Sequence, residues 1–175
     1  NSRDTLTKSE IVSALLNASE MRKLKINKTK DLNRESNDDI DLTANVGIGN
    51  LYIWRGMNQA DSGISNVYGG LDINANENIS FGTWSSNVSF DDSTSYEWDI
   101  YASYSNELRL IPGFNYEIGY IYYAYPDTLS ETSTDFSESY LGIMNDELSM
   151  RFYYLVTGPD NALAGDDTYF NISYN

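Results

Sequence analysis

The sequence predicts an all-β protein, an antiparallel up-and-down transmembrane β-barrel with about eight visible strands. Three observations predict it: long apolar and polar alternation, connections that alternate between short and long, and an unusually high tyrosine content of 15 in 175 residues. A tilted strand of about ten residues spans a bilayer, whereas strands in soluble proteins are usually about five or six residues long. Residues 41–175 form the predicted barrel domain, and residues 1–40 form an N-terminal arm.

The alternation is clearest between residues 96 and 125, which are predicted to form two long strands. Their apolar face carries Tyr96, Trp98, Ile100, Ala102 and Tyr104, followed by Phe114, Tyr116, Ile118, Tyr120 and Tyr122. Their polar face carries Glu97, Asp99, Tyr101 and Ser103, followed by Asn115, Glu117, Gly119, Ile121 and Tyr123. An apolar band with aromatic residues near both ends is typical of an outer-membrane barrel strand.

The composition excludes several classes of function. The formal net charge of -15 argues against binding to nucleic acid, which needs clustered lysine and arginine. The absence of cysteine and histidine excludes thiolate and imidazole metal sites and histidine-dependent catalysis. We therefore expect no metal and no cofactor. Tyrosine enrichment suits a membrane interface, but a Tyr-rich soluble β-domain has a similar composition.

The N-terminal arm differs from the rest of the chain. Thr7 and Glu10 form a capping-box pattern, and apolar residues at helical spacing predict a helix over about residues 8–24, followed by a polar linker. No secretory signal peptide is recognisable, so a leader was removed before residue 1 or the protein is not exported. The arm is either a periplasmic contact with a partner or a solvated leader. The expected partners are outer-membrane lipid and, through the arm, envelope proteins or further copies of the chain.

From residue 41 onward the pattern is β throughout. A phase shift near Gly49 suggests a β-bulge in the first strand. The strands are predicted at about 41–54, 66–75, 79–90, 96–104, 114–124, 136–144, 147–157 and from 168. Short connections alternate with longer polar ones at 55–65, 91–94, 126–135 and 158–167. In a barrel of the bacterial outer membrane, short turns face the periplasm and long loops face outside.

Charged residues on the polar faces are candidates for lining the barrel lumen. They are Arg55, Asp72, Glu97, Asp99, Glu117 and Arg151. Acidic rings favour cations, and an opposing arginine creates a constriction. In a narrow barrel the same charges pair with one another and close the lumen. Candidate membrane-interface aromatics are Tyr96, Trp98, Tyr104, Tyr116, Tyr120, Tyr122 and Tyr154.

Several segments resemble the TorF-type porins of proteobacteria, over about Leu42 to Tyr174. They are the aromatic-Arg-Gly run at residues 54–56, GGLD at 69–72, GTW with SN at 82–87, and GYIYYAYP at 119–126. The resemblance implies an outer-membrane β-barrel. The family pattern continues for several strands beyond Asn175, so it also implies that the intact protein has ten to twelve strands.

Three functions remain open at this point. The leading hypothesis is a porin-like barrel for passive diffusion of small polar solutes or ions. The alternative is a non-conducting structural barrel that scaffolds partner proteins, since the interior of an eight-stranded barrel is just filled by side chains. The third is a soluble Tyr-rich binding β-sandwich. Glu97 and Asp99 are spaced like a carboxylate pair of a glycosidase, but no other residue marks a sugar cleft, and we expect no enzyme activity.

Overall fold

The computed structural model describes residues 24–25, 40–60, 64–90, 94–129, 134–159 and 162–174, and these residues form an all-β fold. The strands are β1 (Leu24–Lys25), β2 (Asp41–Gly49), β3 (Ile53–Trp54), β4 (Met57–Asn58), β5 (Asn66–Asn74), β6 (Ile79–Asn87), β7 (Tyr96–Glu107), β8 (Asn115–Ala124), β9 (Phe136–Met144), β10 (Leu148–Thr157) and β11 (Thr168–Tyr174). The predicted helix over residues 8–24 lies outside the described residues, except for Leu24, which begins β1. In the described ranges no helix is long and apolar enough to cross a membrane.

The long strands form one antiparallel sheet in the order β1-β2-β5-β6-β7-β8-β9-β10-β11. Each of the eight long strands is hydrogen-bonded to the next long strand in the sequence, so the predicted up-and-down order is confirmed. Within the described residues, however, the edges at β1 and β11 are not hydrogen-bonded to each other. The structure therefore contains the antiparallel strand order of the predicted barrel. Its first and last strands are not hydrogen-bonded to each other, so the sheet is not closed into a barrel.

The prediction of one long first strand with a β-bulge is wrong. The strand β2 ends at Gly49, and the chain then leaves the large sheet to form the separate β3–β4 hairpin. Both residues of its tight turn have positive φ, 49° at Arg55 and 84° at Gly56. Two consecutive residues in the left-handed region are typical of a type I′ turn, which matches the twist of a hairpin. The phase shift in the sequence thus marks the point where the chain leaves the sheet.

The two faces of the large sheet have opposite chemistry. Strand register places Ile100 opposite Tyr122 on one face and Asp99 opposite Tyr123 on the other, as the alternation predicts. The first face exposes large apolar side chains on every long strand, among them Val46, Ile48, Val67, Leu71, Phe81, Ile100, Ile118, Leu141, Phe152 and Ile172. The second face carries buried Glu97, Asp99 and Glu138. The molecule is therefore apolar on its outer face and polar within.

The sheet curls around the β3–β4 hairpin. Tyr52, which precedes β3, contacts Trp84 of β6 with ring centroids 5.3 Å apart, and Arg55 lies 4.3 Å from the ring centroid of Tyr169 in β11. A flat sheet would hold β6 and β11 about 24 Å apart, five spacings of about 4.8 Å. The three residues from Tyr52 to Arg55 span only about 10 Å. The polar face is therefore concave, and the hairpin occupies it.

Candidate functional site

Arg55, at the tip of the β3–β4 hairpin, is fixed inside the curled sheet. Its two terminal nitrogens donate hydrogen bonds of 2.7 and 2.6 Å to the two carboxylate oxygens of Glu138 in β9. Glu138 is only 1% exposed. The guanidinium also lies over the rings of Tyr153 and Tyr169, at 4.9 and 4.3 Å from their centroids. The Tyr123 hydroxyl donates a further bond of 3.1 Å to Glu138. A bidentate pair in this setting holds the hairpin against three neighbouring strands.

A second ion pair lies nearer the opposite end of the concave face. Arg151 of β10 donates a hydrogen bond of 3.0 Å to Glu117 of β8, reaching across the intervening strand over Gly142. The Tyr140 hydroxyl donates a bond of 2.6 Å to the other oxygen of Glu117. Glycine at position 142 leaves the room for the arginine stem, because a Cβ there would lie 3.3 Å from Cγ of Arg151.

Three tyrosine rings lie directly over glycines in the preceding strand. The pairs are Tyr68 over Gly47, Tyr101 over Gly82 and Tyr140 over Gly119, and in each a Cβ on the glycine would come within 2.5 Å of a ring atom. Tyr101 uses this position to donate a hydrogen bond of 2.6 Å to Asp72 of β5, the residue opposite Gly82 in the neighbouring strand. The three tyrosines therefore cover part of the inner wall, and Tyr101 and Tyr140 donate hydrogen bonds to its carboxylates.

Glu97 and Asp99 form an acidic pair near the start of β7, and they are 2% and 8% exposed. The Asp99 carboxyl and the hydroxyls of Tyr52 and Tyr125 lie beside the Glu97 carboxyl. Burial, followed by the nearby Glu97 and Asp99 charges, raises the pKa of Tyr52 well above its usual value, so its hydroxyl remains a donor. One oxygen of each carboxyl, Oε2 of Glu97 and Oδ1 of Asp99, has no hydrogen-bond partner among the described residues.

A cavity of about 310 Å³ lies between the hairpin and the wall of the sheet. Asp99 lines it together with five aromatic side chains, Tyr52, Trp54, Trp84, Tyr101 and Tyr123. Trp54 and Tyr123 meet edge-on with centroids 6.1 Å apart. The cavity therefore combines a buried carboxyl with an aromatic wall. In the part of the chain that the structure describes, no three His, Cys, Asp or Glu side chains come together to hold a metal ion.

Five of the six predicted lumen residues lie on the concave face of the sheet and Arg55 lies on the hairpin against that face, but the six form separate groups. Arg55 pairs with Glu138, Arg151 pairs with Glu117, Asp72 accepts from Tyr101, and Glu97 and Asp99 form the acidic pair. Charges of opposite sign thus pair locally instead of forming a ring around an opening.

The predicted interface aromatics lie on the outer face. Tyr96, Trp98, Tyr104, Tyr120 and Tyr154 are exposed there. Tyr116 and Tyr122 are half-buried on the same face, where Tyr116 contacts Tyr104 and Tyr122 donates a hydrogen bond of 2.6 Å to Asp135.

The sequence interpretation missed Glu138 and the inward aromatic residues Trp54, Trp84 and Tyr140. It placed Tyr101 and Tyr123 on the polar face but did not name them as site residues. A usable signal exists for part of this set, since Glu138 and Tyr140 alternate with outward Ser139 and Leu141 in the predicted strand 136–144. No local signal links Glu138 to Arg55, 83 residues earlier.

The comparison with known proteins finds a match to a family model. A family model described as "Bacterial protein of unknown function (Gcw_chp)" matches residues 33–172, which include every strand from β2 to β10 and most of β11. Among the curated proteins and the solved structures, none matches the chain.

Proposed function

The chain belongs to this bacterial family, Gcw_chp, and we propose that it is an outer-membrane β-barrel whose interior is closed by the β3–β4 hairpin. The observation that carries the proposal is that apolar residues lie outside and charged residues lie inside, the reverse of their distribution in a soluble protein. Large apolar side chains face outward on every long strand, while glutamates, aspartates and arginines face inward. Soluble monomers rarely expose such an extended apolar surface, whereas a barrel in lipid requires one.

The dimensions of the strands support the same location. The strands β2 and β5–β10 contain 9 to 12 residues, and about 9–11 residues cross the hydrocarbon core when tilted. The exposed Tyr and Trp residues on the outer face suit the two membrane–water interfaces. Bacterial outer-membrane lipid is then the partner of this face.

Closure of the sheet into a barrel is part of the proposal. In a bilayer, unpaired backbone groups at the two edges of the sheet would each cost several kcal/mol. The edges therefore pair, with each other or with further strands. Support comes from Arg55, which follows β2 at one edge and stacks over Tyr169 of β11 at the other.

The hairpin makes this barrel a non-conducting one in the described conformation. It lies against the inner wall through Tyr52, Trp54 and Arg55, and the two inner arginines are both paired with glutamates. Such a barrel scaffolds partner molecules in the envelope. Contacts of residues 1–40 with envelope proteins or with another copy of the chain remain predictions.

Passive diffusion of small polar solutes or ions is the second candidate. The cavity of about 310 Å³ beside the hairpin favours it, because displacement of one short hairpin would enlarge this space. The two candidates differ in a single measurable property, the conductance of the wild-type protein.

The first experiment tests membrane location. The full chain is expressed in a Gram-negative host, and its membranes are washed with alkaline carbonate. We expect the protein to stay in the membrane until detergent is added. Release into carbonate would refute the outer-membrane proposal and would favour the soluble binding domain.

The second experiment tests closure by the hairpin in planar bilayers. We expect a silent wild-type protein and discrete conductance steps from Arg55→Ala, which loses the bidentate bond to Glu138. Arg109→Ala is the matched control, because Arg109 is exposed in the β7–β8 turn, and it should remain silent. Steps from the wild type would refute closure and support passive diffusion.

A further inference from the structure

The cavity between the β3–β4 hairpin and the sheet has features that the proposed barrel does not use. Its volume is about 310 Å³, which corresponds to roughly ten water molecules at about 30 Å³ each. A hairpin that served only to close the interior would pack against the wall and leave no such space. Ligand pockets run from roughly 300 to 1,000 Å³, so the space suits a small ligand.

Aromatic rings from both the hairpin and the sheet form the wall of the cavity. The hairpin segment contributes Tyr52 and Trp54, and the sheet contributes Trp84, Tyr101 and Tyr123. Tyr52 meets Trp84 edge-on with centroids 5.3 Å apart, and Trp54 meets Tyr123 in the same way at 6.1 Å. Such rings offer a large, rigid apolar surface, so they favour a ligand that has an apolar face.

The cavity offers an ion no counter-charge among the described residues. Asp99 lines it, but this residue is 8% exposed and lies beside Glu97. Burial next to a second carboxyl favours the protonated, uncharged form. Arg55, at the tip of the hairpin, is held by both carboxylate oxygens of Glu138. An ion would lose its hydration here without gaining a partner, so the cavity favours an uncharged ligand.

The polar atoms of the wall include both acceptors and donors. The hydroxyls of Tyr101 and Tyr123 already donate to carboxylates of the inner wall, so their oxygens keep only lone pairs for a ligand. The indole N–H groups of Trp54 and Trp84 donate to no described residue, and neither nitrogen is buried. An indole nitrogen is a donor only. A matching ligand therefore both donates and accepts, as hydroxyl groups do.

We propose that this cavity binds one pyranose ring of a neutral sugar. The C–H face of such a ring packs against Trp54 and Trp84, and its hydroxyls exchange hydrogen bonds with the indole N–H groups and the tyrosine oxygens. One molecule thus supplies the apolar face, the lack of charge and both kinds of hydrogen-bonding group. Binding requires the hairpin and the curled sheet but not the bilayer. Its failure would therefore leave the proposed membrane function standing, and the reverse also holds.

The test uses D-glucose, D-galactose and D-mannose as probes, with the purified full chain in a detergent that has no sugar head group. Trp98→Phe removes the one tryptophan on the outer face, so that the two remaining tryptophans, Trp54 and Trp84, both report from the cavity. We expect a saturable change in their fluorescence with at least one probe. Cyclohexanol has the ring with a single hydroxyl, and sorbitol has the hydroxyls without the ring. Each should bind about tenfold more weakly or worse.

The same assay separates a free monosaccharide from the end of a glycan. Maltotriose presents the same kind of ring at the end of a chain. Binding equal to that of glucose would identify the end of a glycan as the ligand, and a tenfold loss would identify a free monosaccharide.

A variant tests the indole donor. Trp84→Phe, made in the Trp98→Phe background and read through Trp54, keeps an aromatic ring but removes the N–H, so it should weaken sugar binding by about threefold to tenfold. Trp98→Phe is itself the matched control, because it makes the same change on the outer face and should leave the affinity of the wild type unchanged. Absence of a saturable signal with all three sugars, or equal binding of cyclohexanol or sorbitol, would overturn the proposal. The ligand comparison uses one protein, so it remains decisive even if Trp84→Phe fails to fold.

Discussion

Replacing Gly119 by alanine tests the stacking of tyrosine rings on the glycines of the inner wall. A Cβ at position 119 would lie 2.2 Å from Cε1 of Tyr140 and 2.5 Å from its hydroxyl oxygen. Ordinary contact requires roughly 3.5 Å, so the ring would have to move by more than about 1 Å. The ring is held on its other sides by Tyr153, with centroids 5.3 Å apart, and by the bond to Glu117.

The expected loss of stability follows from two terms. Moving the ring breaks the hydrogen bond from Tyr140 to a carboxylate, which contributes about 1.5–3 kcal/mol. Forcing an extra methyl group into a filled site adds about 1–3 kcal/mol of strain. We therefore expect Gly119→Ala to lower the free energy of unfolding by about 2.5–6 kcal/mol. With a slope of about 2 kcal/mol per molar urea, the middle of the usual range, the midpoint should fall by roughly 1–3 M.

The assay is urea unfolding of the lipid-reconstituted protein, followed by tryptophan fluorescence. Gly49→Ala is the matched control, because a Cβ at position 49 meets its nearest atom at an ordinary 3.5 Å. In a Tyr140→Ala background the Gly119→Ala change should cost little, since the clashing ring is gone. If Gly119→Ala and Gly49→Ala unfold at the same urea concentration, the stacking argument is refuted.

Three further predictions use the same unfolding assay. Glu138→Gln leaves the buried Arg55 guanidinium without a carboxylate and should cost about 3–5 kcal/mol; a loss below 1 kcal/mol would show that the pair does not hold the hairpin. Ile100→Arg, on the outer face of β7, should lower the free energy of unfolding in lipid by about 2–4 kcal/mol. Glu107→Arg at the end of the same strand should leave it nearly unchanged. Equal stability of the two variants would argue against a lipid-facing band. Because the pKa of Tyr52 is raised by folding, its stabilising contribution is complete below about pH 10 and is lost as pH rises further. Tyr52→Phe should therefore make the alkaline loss of stability shallower, and an unchanged pH profile would contradict this.

The sequence determined the strands and their faces because both depend on local alternation. Side chains two residues apart lie on the same face of a strand, so Ile100 and Asp99 could be assigned to opposite faces without knowledge of any partner strand. The bounds 136–144 for β9 and the start of β11 at Thr168 agree with the prediction. The sequential antiparallel order followed from the short connections, which favour pairing of neighbours.

The candidate site could be predicted only in part. The sequence placed Arg55 and Asp99 among the inward residues, since charged side chains are costly on a lipid-facing surface. It could not show that Arg55 pairs with Glu138 and that Asp99 keeps an unpartnered oxygen. The pairing of these charges depends on the register of the strands and on the curvature of the sheet. Both arise from the packing of the whole sheet and not from any local segment.

The sequence by itself determined an all-β chain with eight long strands, an apolar outer face and a polar inner face. Tertiary structure alone decided that the β3–β4 hairpin folds inward. The sequence predicted a strand that continues to residue 54 and a polar connection from Arg55, because a two-residue turn with positive φ leaves little local pattern. Its position is fixed by Glu138, Tyr153 and Tyr169, which lie on three different strands. Only the curled sheet brings those side chains together around one guanidinium.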